Sequence, residues 1–248
     1  MQSVSRRRFL ESTLAAAGAA ILWPQGGQAG FAPGVETKAA PLISGEERLR
    51  QPEIWVLEVN FKPVRMIHVE LPDPRTGKVK PTLVWYLAYR AFNRPGDGWA
   101  PSEDNPNPPV FVPEFTLATA DRGKPQKIYL DRVMPVAQAA INKRERHTYK
   151  NSVEIVGPLP PATPASAKVQ KSLDGLAMWR GVDPNTDYFD VFMGGFSNGY
   201  QIKADPAAEG QQVVQQKTLV QHFWRPSDRF DQTEEEIRQT DSPSWIYR

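Results

Sequence analysis

Gly195-Phe196-Ser197-Asn198-Gly199 carries the G-x-S-x-G spacing of a serine nucleophile, and Asp205 and then His222 follow it. That chain order, Ser, Asp, His, is the α/β-hydrolase order. In such a triad Ser197 would attack a carbonyl, His222 would take its proton, and Asp205 would orient the imidazole. The motif needs a strand, a sharp turn and a long helix. Here Ser197 is followed by Tyr200-Gln201-Ile202-Lys203 and then Asp205-Pro206, which starts no long helix. The competing expectation is a turn after a strand, with Asn198-Gly199 as its turn residues.

Other residues invite chemistry more weakly. Asp183, Asn185, Asp187 and Asp190 space oxygen ligands like a calcium loop, but Tyr188 stands where an EF-hand needs glycine and Gly194 where it needs glutamate. Asp183-Pro184-Asn185-Thr186 is equally a β-turn. His68, His147 and His222 are too far apart in sequence for a zinc pattern. Lys143, Arg144, Arg146 and Lys150 form a basic patch interrupted by Glu145, which suits a solvated helix face, or alternatively an anionic glycan site. Trp99, in a polar loop, could stack on a sugar or fold back onto the core. No cofactor site is readable.

The N-terminus reads as an address. Arg6 and Arg7, followed by Phe9 and Leu10, precede an uncharged apolar run from Ser12 to Trp23, and Ala29 closes a stretch of small residues. This three-part layout is that of a secretory signal, with Ala29 at the expected cleavage point; retention as a membrane anchor is the alternative. The paired arginines resemble a twin-arginine export signal, although Glu11 stands where that motif often has lysine. The run falls short of the ~20 residues that span a bilayer, and no later stretch is long enough. The expected location is therefore the periplasm or the extracellular space. Beyond residue 29 the chain has 27 basic and 27 acidic residues. That balance gives no reason to expect nucleic acid as a partner. With no cysteine, disulfides, thiolate metal sites and cysteine nucleophiles are excluded.

The elements that must position these residues are short strands. From Lys80 to Arg94, Leu83, Trp85, Leu87 and Tyr89 alternate with Val84, Tyr86, Ala88 and Arg90. Apolar groups at both parities predict a central strand buried on both faces, with a carboxylate needed for Arg90. Ile54 to Phe61 and Ile67 to Leu71 form a strand broken at Lys62-Pro63, expected at a sheet edge. Further strands are expected over 110–117, 127–130, 152–156 and 213–224, with a hairpin of 175–179 and 188–193. Short helices are expected near 133–147 and 232–239. The 24 prolines argue against longer ones.

Leu83 to Asn93, Gly175 to Pro184 and Gly194 to Gly199 together resemble an uncharacterised family of exported bacterial proteins. The resemblance spans roughly 54 to 224. It implies a sandwich-like core and supplies no catalytic or binding residues. The chain also resembles immunoglobulin-like domains in architecture, without their Cys-Trp-Cys pattern. Taken together, the expectation is an all-β protein: a signal peptide over 1–29, a linker over 30–50, and an antiparallel, immunoglobulin-like β-sandwich over 51–248. Its expected role is that of a non-catalytic structural or binding module of the cell envelope, with an envelope protein or glycan as partner. The alternatives are a serine hydrolase using Ser197 and a carbohydrate-binding module.

Overall fold

The aromatic run around Trp85 forms one long strand, Val79–Phe92, and the other elements assemble against it. The computed structural model describes residues 36–73, 75–205, 210–226 and 237–248. In chain order the strands begin with β1 (Thr37–Ala39), β2 (Glu58–Phe61), β3 (Arg65–Pro72), β4 (Val79–Phe92), β5 (Val110–Phe111), β6 (Glu114–Thr119) and β7 (Ile128–Leu130). They continue with β8 (Lys150–Asn151), β9 (Gly157–Pro158), β10 (Leu173–Arg180), β11 (Tyr188–Gly194) and β12 (Tyr200–Ala204). The last are β13 (Gln212–Trp224), β14 (Arg238–Gln239) and β15 (Ser244–Tyr247). Two helices are described, α1 (Gly45–Arg50) and α2 (Pro135–Glu145).

The protein is all-β, with two larger sheets. The first runs β1-β2-β4-β10-β8, with β3 also on β4; the second runs β12-β13-β11-β6-β7, with β14 and β15 on β13. Pairing is antiparallel except between β10 and β8. As its alternation predicts, β4 is buried on both faces. Trp85, Leu87, Tyr89 and Ala91 meet Phe115, Leu117, Phe189, Val191, Leu219 and Phe223 of the second sheet in one core. Edge-to-face contacts join Trp85 to Phe189 and Tyr89 to Phe196 across it. On the opposite face Val84, Tyr86 and Ala88 pack with Ala137 and Ile141 of α2.

Helix α2 sits within the expected 133–147. Pro135 starts it, where a missing N–H costs nothing, and Arg146 ends it in the left-handed region at φ 53°. Its Glu145 carboxylate accepts from Lys62 Nζ (2.7 Å), Arg65 Nη1 (2.9 Å) and Tyr86 Oη (2.7 Å), which ties the helix to the β2–β3 corner and to β4. Arg90 finds its carboxylate in Glu36.

Several expectations need correction. Residues 36–50 are not a linker: β1 extends the first sheet beside β2, and α1 is held by a capping box of Ser44 and Glu47. The proline break therefore leaves β2 internal, and only β3 lies at an edge. The hairpin expected of 175–179 and 188–193 does not form. Both strands exist, but β10 pairs with β4 and β11 with β6 and β13, so the chain crosses between sheets at the Asp183–Thr186 turn. The reason is burial: Trp179 and Phe189 both face the common core, from opposite sides. Residues 152–155 turn rather than extend, because Asn151 Oδ1 accepts from Val153 N and Glu154 N. The helix expected near 232–239 falls largely outside the described residues, and its end, Arg238–Gln239, is the strand β14. Arg6, Arg7, Phe9, Leu10 and Ala29 also lie outside them.

Gly175 faces Tyr89 across the β4–β10 pair, and a Cβ there would stand 2.2 Å from Tyr89 Cζ. The Gly175→Ala variant should lose about 1–3 kcal/mol through overpacking, read from the denaturant midpoint. An unchanged midpoint would refute this packing.

Candidate functional site

The three members of the supposed triad are not brought together. Ser197 lies in the turn after β11, where it bridges to Val56 just ahead of β2. Its Oγ donates to Trp55 O (2.8 Å) and accepts from Gly199 N (2.9 Å). Asn198 completes the clasp: its Oδ1 accepts from Trp55 N (2.7 Å) and its Nδ2 donates to Glu53 O (3.0 Å). Gly195 has φ +82°, and a Cβ on it would lie 2.0 Å from Val112 O. The glycines of the motif thus serve a tight turn that sews the second sheet to the first.

His222 sits near the C-terminal end of β13, opposite Asp190 of β11, and the two are joined Nδ1 to Oδ1 at 2.6 Å. Gly199 O bonds to Lys217 N. His222 is five residues farther along the strand, roughly 17 Å at strand rise. Asp205 follows β12, at the other end of its hairpin with β13.

The remaining candidates also resolve into structural roles. Asp183 Oδ1 accepts from Asn185 N (3.0 Å), as in an Asx-turn, and its Oδ2 binds Lys127 (3.0 Å). Asp187 and Tyr188 donate their backbone N–H groups to Asp121, and Asp190 Oδ1 is taken by His222. Among the described residues no three His, Asp or Glu side chains are grouped to hold a metal. His68 is exposed on β3, and His147 bonds Asp174. In the basic patch, Arg144 reaches Met66 O (2.8 Å) and Glu145 is taken up by Lys62 and Arg65. Trp99 is only 8% exposed and belongs to the central core, as expected of a loop tryptophan folded back onto it, which leaves no open sugar platform there.

What the sequence reasoning missed is a surface. The outer face of the first sheet is covered by α2; no described helix packs on the outer face of the second, where Ala118, Thr218 and Val220 are buried but the margins are open. That face presents Leu130, 67% exposed, with Ile128 on β7, and Tyr188, 45% exposed, on β11. Tyr188 stacks on its cross-strand neighbour Trp224 at 6.4 Å, and the Arg238 guanidinium lies 5.7 Å over Trp224. The Asp190–His222 pair sits two residues along from this stack. Farther along, Glu114, Thr116, Phe192, Gln216, Thr218 and Arg248 line a cleft of about 320 Å³, with the Arg248 guanidinium 4.0 Å over the Phe192 ring. Apolar residues at both parities of 188–193 were the available signal.

Several buried carboxylates away from this face are shifted. Burial alone would raise Glu47, but bonds from Lys217, the Ser44 backbone and Tyr247 outweigh it and hold the carboxyl at about 2. Glu58 likewise resists burial through Arg94 (2.7 Å) and Lys38, and stays below the ordinary carboxylate value. Asp131 goes the other way: its burial outweighs bonds from Met178 N, Ser152 and Arg132 N, so its carboxyl is raised.

No protein-family model, curated protein or solved structure matches the chain. Among the described residues no helix is long and apolar enough to cross a membrane.

Two outcomes follow from these placements. Ser197→Ala should lower stability by about 1–2 kcal/mol through the lost bond to the Trp55 carbonyl and the unpaired Gly199 N–H, with no change in any ester hydrolysis; loss of hydrolysis at unchanged melting temperature would restore the nucleophile. The second concerns pH. Glu47 is lowered from 4.5 to about 2, so its contribution is complete above 4.5 and is lost as pH falls toward 2. Asp131 is raised, so its effect is most favourable in acid and is lost as pH rises through its shifted value. Melting temperature against pH should show a flatter acid limb in Glu47→Gln; an unaltered limb would place acid sensitivity elsewhere.

Proposed function

We propose that the chain is an exported, non-catalytic module of the cell envelope, an immunoglobulin-like sandwich that binds a partner protein through the outer face of its second sheet. The observation carrying this is the asymmetry of the two outer faces. One is sealed beneath α2. The other leaves Ile128, Leu130 and Tyr188 exposed around the Asp190–His222 pair. Exposed apolar side chains rimmed by charge are the composition of a contact surface. The aliphatic side chains of β7 favour a protein surface over a sugar. The immunoglobulin-like arrangement draws support from the crossing of β10 to β11 between sheets that share a core.

Export rests on the sequence: Arg6, Arg7, Phe9 and Leu10 ahead of a short apolar run, with Ala29 at the processing point. The twin-arginine route carries folded chains, and a chain without cysteine needs no oxidative step after transport. The role of Ser197 as a clasp supports a non-catalytic part.

A photo-crosslinking residue at Leu130 of the full chain in its native cells should give one discrete protein adduct, lost when Tyr188→Lys places a charge on the face. An Arg6→Lys/Arg7→Lys pair should leave the chain in the cytoplasm, without that adduct. Export unaffected by the pair would overturn the twin-arginine assignment. An exported chain that gives no adduct from Leu130 would overturn the binding face.

A further inference from the structure

Strand β12 is the end of the second sheet and pairs only with β13 among the described strands. The ribbon that these two strands make from 200 to 205 and 211 to 216 meets the body at its base, where Gln216 pairs with Arg248 and Tyr200 N bonds Gln51 Oε1. No residue in it is buried. Ile202 and its cross-strand partner Val214 are 55% and 59% exposed, and Tyr200 stands beside them on the same face. A two-stranded ribbon bare on both faces is marginal in water. Natural edges of this kind are blunted by charge, proline or bulges. From Tyr200 to Ala204 this one carries a single charge, Lys203.

The hydrogen-bond register shows which residues face outward. Lys217 N bonds Gly199 O, and Asp205 N bonds Gln211 O. Antiparallel bonding alternates, so the odd-numbered residues bond inward to β13. The N–H and C=O groups of Tyr200, Ile202 and Ala204 point to the open side. Gln51 Oε1, 3.4 Å from Tyr200 N, approaches from that side.

We infer that β12 pairs with β12 of a second copy of this chain, antiparallel about Ile202, so that the two second sheets run on as one. The strand is its own complement. Ile202 meets Ile202 of the other copy, Tyr200 meets Ala204, and Gln201 meets Lys203, so no like charges are opposed. Val214 and Ile202 of each copy then form a continuous apolar row across the join. The two-fold arrangement is closed and leaves no open edge at β12 for further growth. This inference does not depend on partner binding by the outer face.

The test uses the purified full chain. Sedimentation should show a concentration-dependent dimer, and Ile202→Pro should reduce the mass about twofold at unchanged melting temperature. Proline at that position removes only an outward N–H. Ile202→Lys opposes two like charges at the axis and should do the same. Because the chain has no cysteine, Ile202→Cys supplies a unique thiol. A hydrogen-bonded antiparallel pair places Cα atoms at about 5.5 Å, within disulfide range. Mild oxidation should therefore yield a covalent dimer, whereas Val153→Cys, on a turn beside the first sheet, should not. A wild-type monomer at all soluble concentrations would overturn the inference, as would a dimer that survives both Ile202→Pro and Ile202→Lys. Loss of the Leu130 adduct would leave this result intact, so the two proposals fail separately.

Discussion

The fold depends on the double-sided burial of β4. Trp85, Leu87 and Tyr89 on one face and Val84, Tyr86 and Ala88 on the other are all removed from water. A strand with apolar groups at both parities cannot face solvent on either side without losing burial of about 25 cal/mol per Å². One face must be covered by a second sheet and the other by a helix. With 24 prolines to interrupt long helices, α2 is short and covers only one side of the assembly. Among the described residues no helix packs on the outer face of the second sheet, and Ile128, Leu130 and Tyr188 stay exposed there.

Around this core the periphery is held by charge. Glu47 joins α1 to β13 and β15, Glu58 joins β1 and β2 to Arg94 beyond β4, and Glu145 joins α2 to the β2–β3 corner. Each carboxylate is removed from water and compensated by at least two donors. Such pairs are weak as sources of net stability, but breaking one partner is costly, because it leaves a buried charge alone. They fix where the outlying elements dock rather than whether the core forms. This is why residues 36–50 belong to the body although they carry few bulky side chains.

The motif with the strongest chemical appearance has a mechanical role. Gly195 to Gly199 has the residues of a nucleophile elbow, yet its glycines meet a backbone approach and its serine and asparagine satisfy Trp55. His222 is occupied with Asp190 some way along the sheet. The features left over among the described residues are an apolar margin on one sheet face (Ile128, Leu130 and Tyr188) and the β12 edge. Both are suited to contact rather than to catalysis.

The sequence by itself determined the all-β class, the double burial of β4, the helix over 135–145 and the need of Arg90 for a carboxylate, because each follows from local periodicity or from the cost of an unpaired charge. Tertiary structure alone decided which strands pair. Residues 175–179 and 188–193 have the pattern of a hairpin, and only the demand that Trp179 and Phe189 face one core from opposite sides separates them into two sheets. It decided equally that Glu47, Glu58 and Glu145 are buried hubs, since their partners lie far off in the chain. The G-x-S-x-G spacing was fully legible, but its meaning was not: whether Ser197 attacks a substrate or holds Trp55 depends on what folds next to it, and periodicity carries no information about that neighbour.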